Sequence, residues 1–110
     1  MSMQKLLMAE LKKIAEKNDC ELIINYQYSN TGKAWFMNGL SKKIGFSFDF
    51  QNSKAILQFF PGDKEIVGTC GFTHTNCFLN AYISYVDDLD GWLEIISVHL
   101  NPRLKVKERI

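Results

Sequence analysis

From Ile44 to Phe60 the chain reads IGFSFDFQNSKAILQFF, and its apolar positions fall on every second residue. Ile44, Phe46, Phe48 and Phe50 alternate with Gly45, Ser47 and Asp49, the pattern of a strand with one buried face. A polar break at Gln51-Asn52-Ser53-Lys54 separates it from a second strand, Ala55 to Phe60. A two-residue turn at Asn52-Ser53 and a four-residue loop from Gln51 to Lys54 both give one register. Phe50 faces Ala55, Phe48 faces Leu57 and Phe46 faces Phe59. The rest of the chain is read outward from this aromatic hairpin.

Upstream, residues 2 to 17 carry helical spacing. Met3, Leu7, Leu11, Ile14 and Ala15 share one face, Lys5, Lys12, Lys13, Glu16 and Lys17 the other, and Asn18-Asp19 ends the helix. Glu21 to Tyr28 then alternates as a strand with Leu22, Ile24, Tyr26 and Tyr28 on one side. Ser29-Asn30-Thr31-Gly32 supplies turn chemistry. The chain returns over Lys33 to Met37, with Tyr26 expected opposite Trp35 and Ile24 opposite Met37. Asn38-Gly39 is the next turn signal.

Downstream, Pro61-Gly62-Asp63 turns the chain into an expected strand from Glu65 to Phe72. That strand would pair Phe59 with Ile66, Leu57 with Gly68 and Ala55 with Cys70. Thr73-His74-Thr75 reverses it into Cys77 to Val86, placing Cys70 opposite Cys77 and Leu79, Ala81, Ile83 and Tyr85 on the buried face. The segment Asp87 to Leu100 has two readings. Asp90-Gly91 followed by Ile95, Ile96 and Val98 suits a hairpin, whereas Leu89, Trp92, Leu93, Ile96 and Leu100 share one helical face. The helical reading is preferred, with Asn101-Pro102 as its end. The expected fold class is α+β: one domain over residues 1–110, an N-terminal helix packed on an antiparallel β-meander, and a C-terminal helix or further hairpin at 89–100.

Composition narrows the classes of function. Apolar residues are 46% of the chain and charged residues 23%, as in ordinary globular domains. Thirteen Lys and Arg against twelve Asp and Glu give a net charge of +1. That balance implies no long-range field and weighs against a nucleic-acid or membrane-surface role. Lys42, Lys43 and the basic tail are the only nucleic-acid signal, and the weakest one. The N-terminal stretch is broken by Gln4, Lys5, Glu10 and Lys12 and does not read as an export signal. With three cysteines, an odd number, the expectation is a cytoplasmic protein with free thiols.

Candidate chemistry is sparse. Cys70, His74 and Cys77, with Cys20 or His99 as a fourth ligand, have no standard zinc spacing, so neither metal nor cofactor is expected. Cys70 with His74 as nucleophile and base is weaker still, and Asp87, Asp88 and Asp90 lack the spacing of a calcium loop. No phosphate-binding glycine loop or nucleophile elbow occurs, which points away from an enzyme. What stands out is the far side of the sheet, where Ile56, Phe60, Val67, Phe78 and Tyr82 are expected to point away from the N-terminal helix. Five apolar side chains on adjoining strands form a patch of the kind that a partner or a covering element occupies. The expectation is a small inhibitor that binds a protein stoichiometrically (a toxin, nuclease or other enzyme), as immunity proteins and phage inhibitors do. The alternative is an apolar small-molecule pocket, in a ligand-binding protein or small enzyme, lined by Tyr26, Trp35, Phe46 and Phe48.

Overall fold

The structure is a computed structural model that describes residues 3–52, 54–62, 77–84 and 88–105. Helix α1 (Met3–Lys17) is followed by strands β1 (Glu21–Tyr28), β2 (Thr31–Asn38), β3 (Ser41–Gln51), β4 (Lys54–Pro61) and β5 (Leu79–Ile83), then helix α2 (Leu89–Leu104). The strands form one antiparallel sheet in the order β1-β2-β3-β4-β5. Both helices lie on the same side of it, α1 against β1 and β4, α2 against β5 and β3, and they touch each other. This is the α+β meander that the alternation predicts, and residues 89–104 are helical, not a hairpin.

The central hairpin has the expected register: Phe46 pairs with Phe59, Phe48 with Leu57 and Phe50 with Ala55. Side chains one strand apart on the same face form rows across the sheet. One helix-side row runs Ile24, Ala34, Phe46, Phe59, Leu79, and the next runs Tyr26, Gly32, Phe48, Leu57, Ala81. In each row β2 supplies a small residue, Ala34 or Gly32, between large ones on β1 and β3, which lets rings interlock. Gly32 is the clearest case, because a Cβ there would lie 2.8 Å from the Phe48 ring and would also collide with the Asn25 backbone. Its missing side chain lets Tyr26 meet Phe48 edge-on, with centroids 5.5 Å apart and rings at 80°. Phe46 contacts the rings of Phe36, Phe48 and Phe59. From above, α1 contributes Met3, Leu7, Leu11, Ile14 and Ala15, as its spacing predicts, together with Met8. Helix α2 contributes Leu89, Leu93, Ile96, Leu100 and Leu104.

Helix α1 closes in a Schellman arrangement. Asp19 takes the left-handed conformation at φ 58°, Cys20 N–H donates to the Ala15 carbonyl, and Asp19 N–H donates to that of Glu16. Buried Asn18 donates from Nδ2 to the Ile14 carbonyl and to Asn101 Oδ1, both at 2.8 Å, and so ties the end of α1 to the end of α2. Helix α2 does not stop at Pro102 but runs through it to Leu104. The Arg103 guanidinium donates to the His99 carbonyl at 2.7 Å in this last turn, while Lys105 N–H donates to Asn101.

Two expected registers are corrected. Tyr26 pairs with Gly32 and Ile24 with Ala34, so β2 is displaced by three residues from the expected pairing. The turn uses Ser29-Asn30 alone, with a bulge between Tyr26 and Tyr28, and leaves Thr31 and Gly32 in the strand. Asn30 fixes that turn to β3, its carbonyl accepting from Phe50 N–H and its Nδ2 donating to the Phe50 carbonyl, both at 2.8 Å. Because three is odd, Trp35 moves to the far face and Phe36 takes the core. The second correction is at β4, whose neighbour from Ala55 to Phe59 is β5 and not residues 65–72. The expected strand Glu65–Phe72, with Val67, Gly68, Cys70 and the His74 turn, lies outside the described residues.

Candidate functional site

The face of the sheet away from the helices is built from three rows. The first runs Ile23, Trp35, Gly45, Phe60; the second Asn25, Lys33, Ser47, Gln58, Asn80; the third Thr31, Asp49, Ile56, Tyr82. The first is a small packing unit. Gly45 has no side chain because the rings of Phe60 and Trp35 close over it, each within 2.8 Å of where a Cβ would stand. Lys42 covers the Trp35 ring with its ammonium 4.6 Å from the centroid. Trp35 and Phe60 are both buried, Phe60 completely.

The second row is polar, and its middle is out of water: Ser47 and Gln58 are buried, while Asn25 and Asn80 at its ends are exposed. Ser47 Oγ, Trp35 Nε1 and Thr31 Oγ1, drawn from all three rows, are buried without a hydrogen-bond partner among the described residues. Buried polar groups are rarely left this way. At the β1–β2 end a groove of about 380 Å³ is lined by Asn25, Tyr26, Gln27, Gly32, Lys33 and Trp35. In the third row Ile56 is half-buried and Tyr82 is 51% exposed.

The five expected partner-binding residues therefore separate. Ile56 and Tyr82 are neighbours across β4 and β5, on the expected face. Phe60 shares that face but has no exposed surface, so it belongs to the fold's own packing. Phe78 is on the other side: its ring is 6.1 Å from that of Phe59 and 4.2 Å from the Arg103 guanidinium. It sits just before β5, where Phe78 N–H donates to the Phe59 carbonyl, and is free of the strand's alternation. Val67 lies outside the described residues. The four residues expected around an apolar pocket are divided as well: Trp35 is on the far face, whereas Tyr26, Phe46 and Phe48 are on the helix side, the last two with their rings 6.2 Å apart and tilted at 53°. The place of Trp35 on this face depends on the β1–β2 register.

Apolar surface also occurs on α2, where Ile95 and Val98 are exposed beside a shallow groove bordered by Gly91, Glu94 and His99. Asp88 holds the N-cap position without a side-chain hydrogen bond, and Asp90 lies in the first turn, where its charge suits the helix dipole. Cys70, His74 and Asp87 lie outside the described residues, and no three His, Cys, Asp or Glu side chains gather among the described ones. No described helix is long and apolar enough to cross a membrane.

Burial shifts both described thiols in the same direction. Burial pushes Cys20 above the ordinary thiol range; Lys43 partly offsets this and Asp19 adds to it. Its Sγ donates to the Asn18 carbonyl at 3.4 Å. Burial also raises Cys77. A raised folded value means that the folded chain keeps a proton which the unfolded chain releases. The Cys20 contribution to stability is therefore complete at neutral pH and declines as pH climbs from about 8.5 through the raised value. The stability difference between wild type and Cys20→Ala, measured by urea unfolding at successive pH values, should shrink over that range. A constant difference would show that Cys20 titrates as an ordinary thiol.

The chain matches no known family model, no curated protein and no solved structure.

Proposed function

We propose that this chain is a small protein-binding inhibitor that acts by forming a stoichiometric complex in the cytoplasm, as immunity proteins and phage-encoded inhibitors do, and is not itself an enzyme. The observation that carries the reading is the half-open row on the far face, with Tyr82 exposed beside Ile56 and the buried Gln58–Phe60 segment behind them. An amphipathic ring on a rigid strand, flanked by polar groups, is the usual build of an interface anchor. Val67 is proposed as a further contact, with Phe60 as part of the packing at Gly45 and Trp35 and Phe78 as a core residue.

The partner is sought by mass spectrometry of what co-purifies from the native host. With the partner in hand, Tyr82→Ala should weaken the complex by about 2 kcal/mol or more, roughly thirtyfold, without changing the melting temperature. Asn80→Ala, on the neighbouring polar row, should change affinity little. Unchanged affinity on loss of Tyr82 would move the interface elsewhere, with the α2 surface at Ile95 and Val98 the next to test.

A further inference from the structure

Among the described residues, strand β1 is an open edge of the sheet. It is eight residues long, and six of them are exposed, Ile23, Tyr26 and Tyr28 among them. Soluble proteins blunt such edges with lysine, proline, a bulge, short length or a covering element. Between Glu21 and Tyr26, β1 has no lysine, arginine or proline, and its one bulge lies beyond Tyr26. The opposite edge among the described strands, β5, is five residues long.

We propose that β1 pairs with β1 of a second copy of this chain, antiparallel about a twofold axis through Ile24, joining two five-stranded sheets into one. The sequence of the strand is self-complementary in that register. On the helix side Ile24 meets Ile24, and Leu22 of one copy meets Tyr26 of the other. These pairs extend an apolar row whose Leu22 and Ile24 already pack on the core. On the far side Ile23 meets Asn25, and Glu21 meets Gln27.

Glu21 is the only charge on β1, and its two copies stand six residues apart along the strand, about 20 Å. That exceeds the screening length of about 8 Å at physiological salt, so they do not oppose pairing. Each Glu21 instead arrives beside the groove of the other copy, which Asn25, Gln27, Lys33 and Trp35 line with amide, ammonium and indole donors. Moving the axis to Asn25 keeps the faces aligned but leaves Glu21 without an opposite residue. The Ile24 register brings the carboxylate to the groove while pairing the apolar row.

The test is sedimentation of the full chain from micromolar to millimolar concentration, with hydrogen exchange read along β1. Wild type should pass from the mass of one chain to that of two, and alternate β1 amides should become protected as it does. Ile23→Lys with Asn25→Lys sets lysine against lysine at both symmetric positions and should raise the dissociation constant roughly tenfold or more. Ile23→Lys with Asn25→Glu sets opposite charges there and should restore pairing. Thermal melts establish that both variants fold, and Asn25→Lys alone is the milder replacement if one does not. A single-chain mass at millimolar concentration overturns the proposal, even if the edge then accepts a strand from another protein. So does a dimer whose β1 amides stay unprotected, or one indifferent to the charge exchange.

Discussion

Phe48→Ala is expected to destabilise the domain by about 3–5 kcal/mol, the cost of emptying a large aromatic site in a packed core. Phe48 is buried at the centre of the helix-side face, with the rings of Tyr26, Phe46 and Phe50 at 5.5, 6.2 and 5.4 Å. Three elements, β1, β3 and β4, lose contacts at once, and the space cannot close without drawing β1 inward over Gly32. Set against a total stability of about 5–15 kcal/mol, the loss leaves a marginal protein. Urea unfolding at neutral pH gives the number. A cost below about 1 kcal/mol would mean that the aromatic hairpin does not organise the core.

Phe60→Asp should be at least as damaging, above roughly 4 kcal/mol, for a different reason. Phe60 has no exposed surface and its ring lies over Gly45 beside Trp35. A carboxylate there must be buried as an ion or take up a proton, and either course is costly. Phe60→Leu, which keeps the site apolar, should cost only about 1–1.5 kcal/mol. Circular dichroism melts of the pair settle which side of the fold boundary Phe60 occupies. A Phe60→Asp protein that melts like wild type would return Phe60 to the surface and to the list of partner anchors.

These two phenylalanines show what the sequence makes legible. The register of β3 on β4 was readable because two period-two runs flank a turn that admits only one pairing, so Phe48 could be set against Leu57 beforehand. The buried face of α1 was readable in the same way, from spacing alone. The β1–β2 pairing was not, since Ser29 to Gly32 are all good turn residues and nothing local says that the chain reverses over Ser29-Asn30. That choice carried Trp35 across the sheet and, with it, the groove and an indole N–H without a partner among the described residues. The neighbour of β4 was equally hidden: residues 65–72 and 79–83 both alternate, and both suit the same edge. The site suffered more than the fold because each of its features lies on one side or the other of a one-residue parity.

The hydrogen bond between Asn18 and Asn101 joins positions 83 residues apart, whereas β1 to β4 are linked by two-residue turns. Closing a long loop costs more chain entropy than closing a tight hairpin, and the cost must be met before the contact gives anything back. The four hairpin-linked strands are thus set to order early in the folding reaction, with the clasp between the two helix ends among the last contacts made. Asn101→Ala should then speed unfolding and leave the folding rate nearly unchanged, a φ-value near zero, while Phe48→Ala slows folding itself. Chevron plots of the two variants give the order directly, and equal φ-values would reverse it. The clasp thus serves the lifetime of the folded molecule rather than the speed of its making.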